Sequence, residues 1–157
     1  MSTEDFGLWF LWMPAGFMLG NLISGQIGSR LSIGLMTIGG ASLCLMIVGI
    51  QWIWHATAGL SIVGIIIPGA ALGIAQGICM PYAQTGALRV NPALAGTASG
   101  AVVFSQLFFA GAAEQSVGFL FDGTLIPVMY VMFGFSIVAL SAAIFAEISK
   151  ARTALDD

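Results

Sequence analysis

The sequence predicts an all-α membrane protein, built as a polytopic bundle of transmembrane helices. Its 157 residues are 59% hydrophobic and only 7% charged, and the mean hydropathy is +1.01. Soluble domains lie far from this composition. Apolar runs of about 20 residues recur along the chain, and each is long enough to cross a hydrocarbon core about 30 Å thick. Membrane-spanning strands are about half as long and alternate polar with apolar residues, so the runs are expected to be helices.

Five spans account for nearly the whole chain, which we expect to form a single transmembrane domain over residues 1–157. No soluble domain or long linker is left over. Acidic residues precede the first span, whereas a signal peptide begins with basic ones. The spans are placed near residues 6–29, 33–54, 60–85, 96–121 and 126–148.

The distribution of charge predicts how the bundle lies in the membrane. Because successive spans alternate in direction, all four basic residues fall on one face, which the positive-inside rule makes cytoplasmic. We therefore expect an inner (plasma) membrane protein with a cytoplasmic C-terminus. The N-terminus would then lie outside, which suggests a helix preceding this chain. The net charge of −3 argues against a nucleic-acid partner. The basic residues are Arg30, Arg89, Lys150 and Arg152, and the opposite face carries Trp9, Trp12, Trp52, Trp54 and His55.

Small residues recur at four-residue spacing in three of the spans. Such ladders let helices approach closely in lipid, where the hydrophobic effect does not drive helices together. We expect the fourth span, within residues 91–122, to be the one around which the bundle is organised. The second and fifth spans carry only mild polar groups, and we expect them to be the outer, lipid-facing helices. The ladders are Gly16, Gly20, Ser24 and Gly28; Gly69, Gly73 and Gly77; and Gly96 and Gly100.

Glu114 is a carboxyl group placed where a bilayer would be hydrocarbon. It lies about 12 Å from the outer end of its span, at 1.5 Å per residue. An ionised side chain at the bilayer centre costs about 2.5–3.5 kcal/mol on insertion scales. Hydrocarbon surroundings favour the neutral acid, as a proton-coupling group requires. The alternative is a structural role, in which the protonated acid hydrogen-bonds a neighbouring helix.

Four further side chains are candidates for a substrate-binding wall. Gln76 and Met80 share a face of the third span with Gly69, and a flexible thioether beside a bare glycine surface suits an adaptable site. Asn21 in the first span and Gln106 in the fourth are the other two. For each amide the alternative is an interhelical hydrogen bond worth about 1 kcal/mol or less.

The sequence carries no pattern typical of an enzyme or of a cofactor. It has no Gly-rich phosphate loop, and no His/Cys/Asp cluster at metal-ligand spacing, so neither a metal site nor a cofactor is expected. His55 is the one histidine and lacks companion ligands. Cys44 and Cys79 fall inside apolar spans, where we expect packing residues and not a disulfide.

The segment Pro92-Ala-Leu-Ala-Gly-Thr-Ala-Ser-Gly100, with the following Gln106-containing helix and Asp122-Gly-Thr124, resembles major facilitator superfamily drug:proton antiporters of the Bcr/CflA branch. Residues 24–34 are similar to the second copy of that superfamily's basic loop motif. The resemblance implies helices eight to twelve of a C-terminal half. It implies a multidrug efflux permease that alternates access around a midplane site. It makes Arg30 and Arg89 residues of conformational loops, and the N-terminal half of the transporter the missing partner. Glu114 has no counterpart in the pattern.

The leading functional hypothesis is therefore proton-coupled export of small amphipathic solutes, with the lipid bilayer as surroundings and no catalysis. A second hypothesis is a non-transporting membrane subunit whose glycine ladders dock a partner membrane protein. A third, an intramembrane enzyme, lacks any nucleophile and base set in the sequence.

Overall fold

The computed structural model describes residues 11–27, 31–59, 61–90 and 92–156, leaving aside the side chains of 92 and 153–156. The described chain is all-α and contains no strand, which confirms the predicted fold class. Five helices and one short 3-10 turn, at Pro92–Leu94, follow one another. The helices are α1 (Trp12–Ile27), α2 (Ile33–Ala58), α3 (Ile62–Arg89), α4 (Ala95–Leu120) and α5 (Ile126–Asp156).

The helix ends are set by local side-chain and glycine chemistry. Ser32 caps α2 by accepting a hydrogen bond from the backbone N–H of Leu35, at 3.2 Å. Ser61 caps α3 in the same way. Gly59 ends α2 with φ +71°, a conformation that glycine adopts without steric penalty. Pro92 begins the 3-10 turn before α4, instead of beginning α4 itself.

Helices α1 and α3 run parallel and touch through their glycines. A Cβ on Gly16 would clash with the backbone carbonyl of Ala70. One turn further along α1, a Cβ on Gly20 would lie 3.0 Å from the Cα of Gly77. Contacts between backbones at this range require small residues on both sides. The predicted role of these two ladders in packing is therefore confirmed over the described positions, while Gly28 lies outside them.

Helix α2 occupies a central place between α3 and α5, antiparallel to both. Its Ile47 and Val48 form the hydrophobic core with Leu72 and Ala75 of α3. On the other side its Trp52 ring lies 4.8 Å, centroid to centroid, from a tyrosine ring of α5. The expectation that the second span is an outer helix is wrong. Close packing in lipid depends on complementary small and large side chains, and α2 offers this complementarity in Gly40, Ile47 and Val48.

Helix α4 lies at the edge of the described bundle, and none of its residues is buried. It contacts the described bundle through α3, α5 and the 3-10 turn. One aromatic contact, between Phe109 and Phe135, joins it to α5. The expectation that the fourth span organises the bundle is therefore also wrong, because α3 packs against α1, α2 and α4.

Four of the described helices, α2 to α5, are long and apolar enough to cross a membrane. The helix directions place the start of α1, the end of α2 and the start of α3 together, so Trp12 and Trp54 lie at one end. Arg89 and Lys150 line one cleft at the other end, with Ser24 of α1. The predicted separation of tryptophans from basic residues is thus seen for these four side chains. Trp9 and Arg30 lie outside the described residues.

Candidate transport surface

The crossing of α1 and α3 brings Asn21 close to the turn of α3 that carries Gln76. A Cβ on Gly77 would lie 2.9 Å from the backbone N of Asn21. The Asn21 side chain donates a hydrogen bond to the carbonyl oxygen of Phe17 in its own helix, at 3.1 Å. One N–H of its amide is therefore tied to α1, and the second N–H and the side-chain oxygen remain available.

Gln76 is exposed although both of its neighbours in sequence, Ala75 and Gly77, are buried. Its amide has no hydrogen-bond partner in the described part of the chain. Met80, one turn later on α3, is half-buried. An amide without a partner in the described chain and a thioether one turn later therefore lie on α3, beside the contact with α1.

Gln106 and Glu114 lie on α4, away from that crossing. Gln106 is half-buried, and Glu114 and its neighbour Gln115 are exposed. No hydrogen bond joins Gln106 or Glu114 to any other described residue. Glu114 lies six residues before Leu120, the last residue of α4, which places it about 9 Å inside the helix end. The structure thus gives two separate polar sets, one on α1 and α3 and one on α4.

A polar cleft of about 480 Å³ opens at the basic end of the bundle. Arg89, from the end of α3, and Lys150 of α5 line it, together with Tyr82, whose hydroxyl donates to the Ser24 carbonyl at 3.0 Å. Lys150 also lies 3.9 Å from the carboxylate of Glu147, one helical turn earlier. Two cations from separate helices, with the Glu147 carboxylate beside one of them, thus lie at this end of the bundle.

The glycine ladders of α1 and α3 face each other within this chain, so they are not free to dock another protein. Of the three predicted ladders, only the Gly96 and Gly100 pair on α4 has open space around both members in the described structure. Cys79 packs beside Gly40, and its thiol donates to the carbonyl oxygen of Thr37 at 3.4 Å. Both cysteines are free, as expected of packing residues.

A second cavity, of about 160 Å³, lies under the turn between α2 and α3. Its lining is almost wholly apolar apart from Gln51, Trp54, His55 and Ser61. The Gln51 side-chain oxygen is buried and has no hydrogen-bond partner among the described residues. Gln51 was not among the site residues predicted from the sequence. A glutamine that lies two helical turns before the end of an apolar helix could have indicated a polar site.

No family model, curated protein or solved structure matches the chain. The physical features of the described helices therefore carry the functional argument.

Proposed function

We propose that the chain is part of a transmembrane transporter that exports small amphipathic solutes in exchange for protons. It would lie in the inner (plasma) membrane with Arg89 and the C-terminus on the cytoplasmic side. Its partner would be a second helical bundle, the N-terminal half that the sequence resemblance implies. Transport would proceed by rocking of the two bundles around a site between them.

One observation carries the proposal: polar side chains at membrane depth are exposed and unpartnered within the described structure. Gln76 on α3 and Glu114 on α4 both have this property. Neither group is stable against hydrocarbon, and an ionised carboxylate there costs about 2.5–3.5 kcal/mol. Such groups in membrane proteins face a water-filled cavity or another protein segment. A transport pathway between two bundles provides both surroundings.

The packing of the bundle suits a rocking mechanism. Contacts between the glycines of α1 and α3, and between α2 and α3, form a tightly joined unit. Helix α4 is joined to that unit by fewer contacts and has no buried residue. In this proposal α1 to α3 move together, while α4 presents its polar side chains to the pathway.

The roles follow from chemistry and position. Asn21, Gln76 and Met80 would form one wall of the substrate site, offering an amide acceptor, a free amide and a polarisable thioether. Gln106 would contribute from α4. Glu114 would bind and release the coupling proton, because it is the one carboxyl group of α4 and has no competing partner in the described chain.

The test is transport by the full chain in proteoliposomes, with and without a co-reconstituted N-terminal bundle, and with Glu114→Gln as the variant. The substrate is a fluorescent amphipathic cation, and an imposed pH gradient is the driving force. We expect Glu114→Gln to abolish accumulation driven by the gradient while retaining substrate exchange at equal pH. Glu147→Gln is the matched control, since Glu147 lies beside Lys150 at the basic end, and it should keep both activities.

Two outcomes would contradict the proposal. Unchanged proton coupling in Glu114→Gln would leave Glu114 with a structural role. Absence of flux in the wild-type chain under both reconstitution conditions would contradict transport by this chain.

A further inference from the structure

The cavity between α1, α2, α3 and α5 is the strongest unassigned feature of the described structure. It lies under the α2–α3 turn, and no residue of α4 lines it. Its volume of about 160 Å³ is similar to that of an engineered cavity, about 150 Å³, that binds benzene. The described lining includes three methionines, Met13, Met129 and Met132, whose thioethers make favourable contacts with aromatic rings. By size and lining, the cavity suits one aromatic ring.

Gln51 makes this cavity different from an empty apolar void. Its side-chain oxygen is buried and finds no hydrogen-bond partner in the described chain. Leaving such a group unpaired is unfavourable, because the hydrogen bond that it makes to water in the unfolded chain is not replaced. Native structures seldom leave a buried polar group unpaired, and a bound water, ion or ligand commonly supplies the missing partner. The Gln51 carboxamide lines the cavity and makes no hydrogen bond to another described residue, so it is the group with which a polar occupant would pair.

The other polar side chains of the lining are less suited to pairing with a polar occupant. Trp54 donates its ring N–H to the Ser61 hydroxyl at 3.2 Å, and that hydroxyl also accepts from the backbone N–H of Gly64. His55 is half-buried near the end of α2. Among the polar side chains of the lining, Gln51 carries a buried oxygen without a hydrogen-bond partner in the described chain.

We propose that this cavity binds a small aromatic alcohol, with one ring between the methionines and its hydroxyl on Gln51. A phenolic hydroxyl both donates and accepts, so it pairs with a carboxamide whichever way the amide is turned. The site is separate from the proposed transport surface, and the proposal stands whether or not the chain transports a solute.

The test compares 4-fluorophenol with fluorobenzene, two probes that differ by one hydroxyl, on the full chain in detergent micelles. Fluorine NMR separates the probe in the protein from the probe in the micelle. We expect saturable binding of both, with 4-fluorophenol about 3- to 10-fold tighter, the ratio that one net hydrogen bond provides. Gln51→Leu should remove the preference and retain fluorobenzene binding. His55→Leu should leave the preference intact.

A filling variant tests the location. Val128→Phe places a ring in the lining and should abolish binding of both probes. Val138→Phe makes the same change on the same helix at a residue that is 56% exposed and outside the lining, and it should bind as the wild type does. The proposal is overturned if the two probes bind equally to the wild-type chain. It is also overturned if binding survives Val128→Phe, or if the preference is lost in His55→Leu and not in Gln51→Leu.

Discussion

At the scale of single residues, the glycines of α1 and α3 show how a missing side chain determines a helix contact. A Cβ on Gly77 would meet the backbone carbonyl of Phe17 and the backbone N of Asn21. Backbone atoms cannot rotate away, so the helices themselves would have to separate. A Cβ on Gly118 of α4, by contrast, would have no neighbouring atom within 4 Å.

We expect Gly77→Ala to destabilise the protein by about 1–3 kcal/mol, the range for overpacking a close contact. Gly118→Ala should be neutral or stabilising by up to about 1 kcal/mol, because alanine is the better helix former. Both values can be measured by reversible unfolding in mixed micelles of mild detergent and dodecyl sulfate. Equal effects of the two substitutions would contradict the contact between α1 and α3.

The turn before α5 supplies a pH-dependent prediction. Asp122 accepts hydrogen bonds from the hydroxyl of Thr124 at 2.6 Å and from its backbone N–H at 2.9 Å. These bonds lower the pKa of Asp122 below its ordinary value of 3.8, and the bond from the hydroxyl makes the larger contribution. A carboxyl group whose pKa is lowered by folding stabilises the turn above its ordinary pKa. That stabilisation is lost as the pH falls through the lowered value.

The Thr124 amide signal in NMR should therefore move with a midpoint below pH 3.8. In Asp122→Asn the same signal should stay constant over that range, because an amide accepts the bond without titrating. A midpoint at or above the ordinary value would show that the turn is not formed in the micelle.

At the scale of helices, α2 and α3 are antiparallel, and Gly40 of α2 lies directly against Cys79 of α3. A Cβ on Gly40 would lie 2.5 Å from the Cβ of Cys79. Disulfides place these two atoms about 3.5–4.5 Å apart, so a small outward shift of one helix brings a cysteine pair into bonding range. Gly39, the preceding residue, has no atom within 4 Å of its Cβ position.

In a Cys44→Ala background we expect Gly40→Cys to form a disulfide with Cys79 on oxidation. Gly39→Cys, the matched control, should remain a free thiol because it is turned by about 100° around the helix axis. Mass spectrometry of digested protein detects the bonded peptide pair. A bond from position 39 in place of position 40 would mean that the register differs from the one described.

At the scale of the whole molecule, the bundle has an aromatic end and a basic end, and the positive-inside rule assigns the basic end to the cytoplasm. Arg89 is exposed at the end of α3. Phe121, which is 64% exposed, follows α4 at the opposite end. In the proposed orientation these two positions lie on opposite sides of the membrane.

In a cysteine-free background, Arg89→Cys should react with an impermeant thiol reagent only after the cells are opened. Phe121→Cys should react in intact cells. Gel mobility after labelling with a maleimide of high mass reads out both. The reverse pattern would mean that the basic end faces the outside, which contradicts the proposed orientation and direction of transport.

Much of the fold could be predicted from the sequence alone. The predicted second to fifth spans begin within two residues of the helices, whereas three of their four ends depart by four residues or more. The candidate site was predicted only as a set of residue types. Gln76 and Glu114 are exposed and unpaired in the described chain, yet their relation across helices could not be predicted from spacing within one helix.

The sequence by itself determined the all-α class, the starts of the second to fifth helices and the separation of Trp12 and Trp54 from Arg89 and Lys150. These follow from composition and length, because a bilayer requires apolar helices of a fixed span and sorts charge between its faces. The tertiary structure alone decided that α2 is central, that α4 is peripheral and that Gln51 lines a cavity. Such features depend on how surfaces distant in sequence fit together, and in lipid that fit is governed by the shape of side chains more than by their polarity.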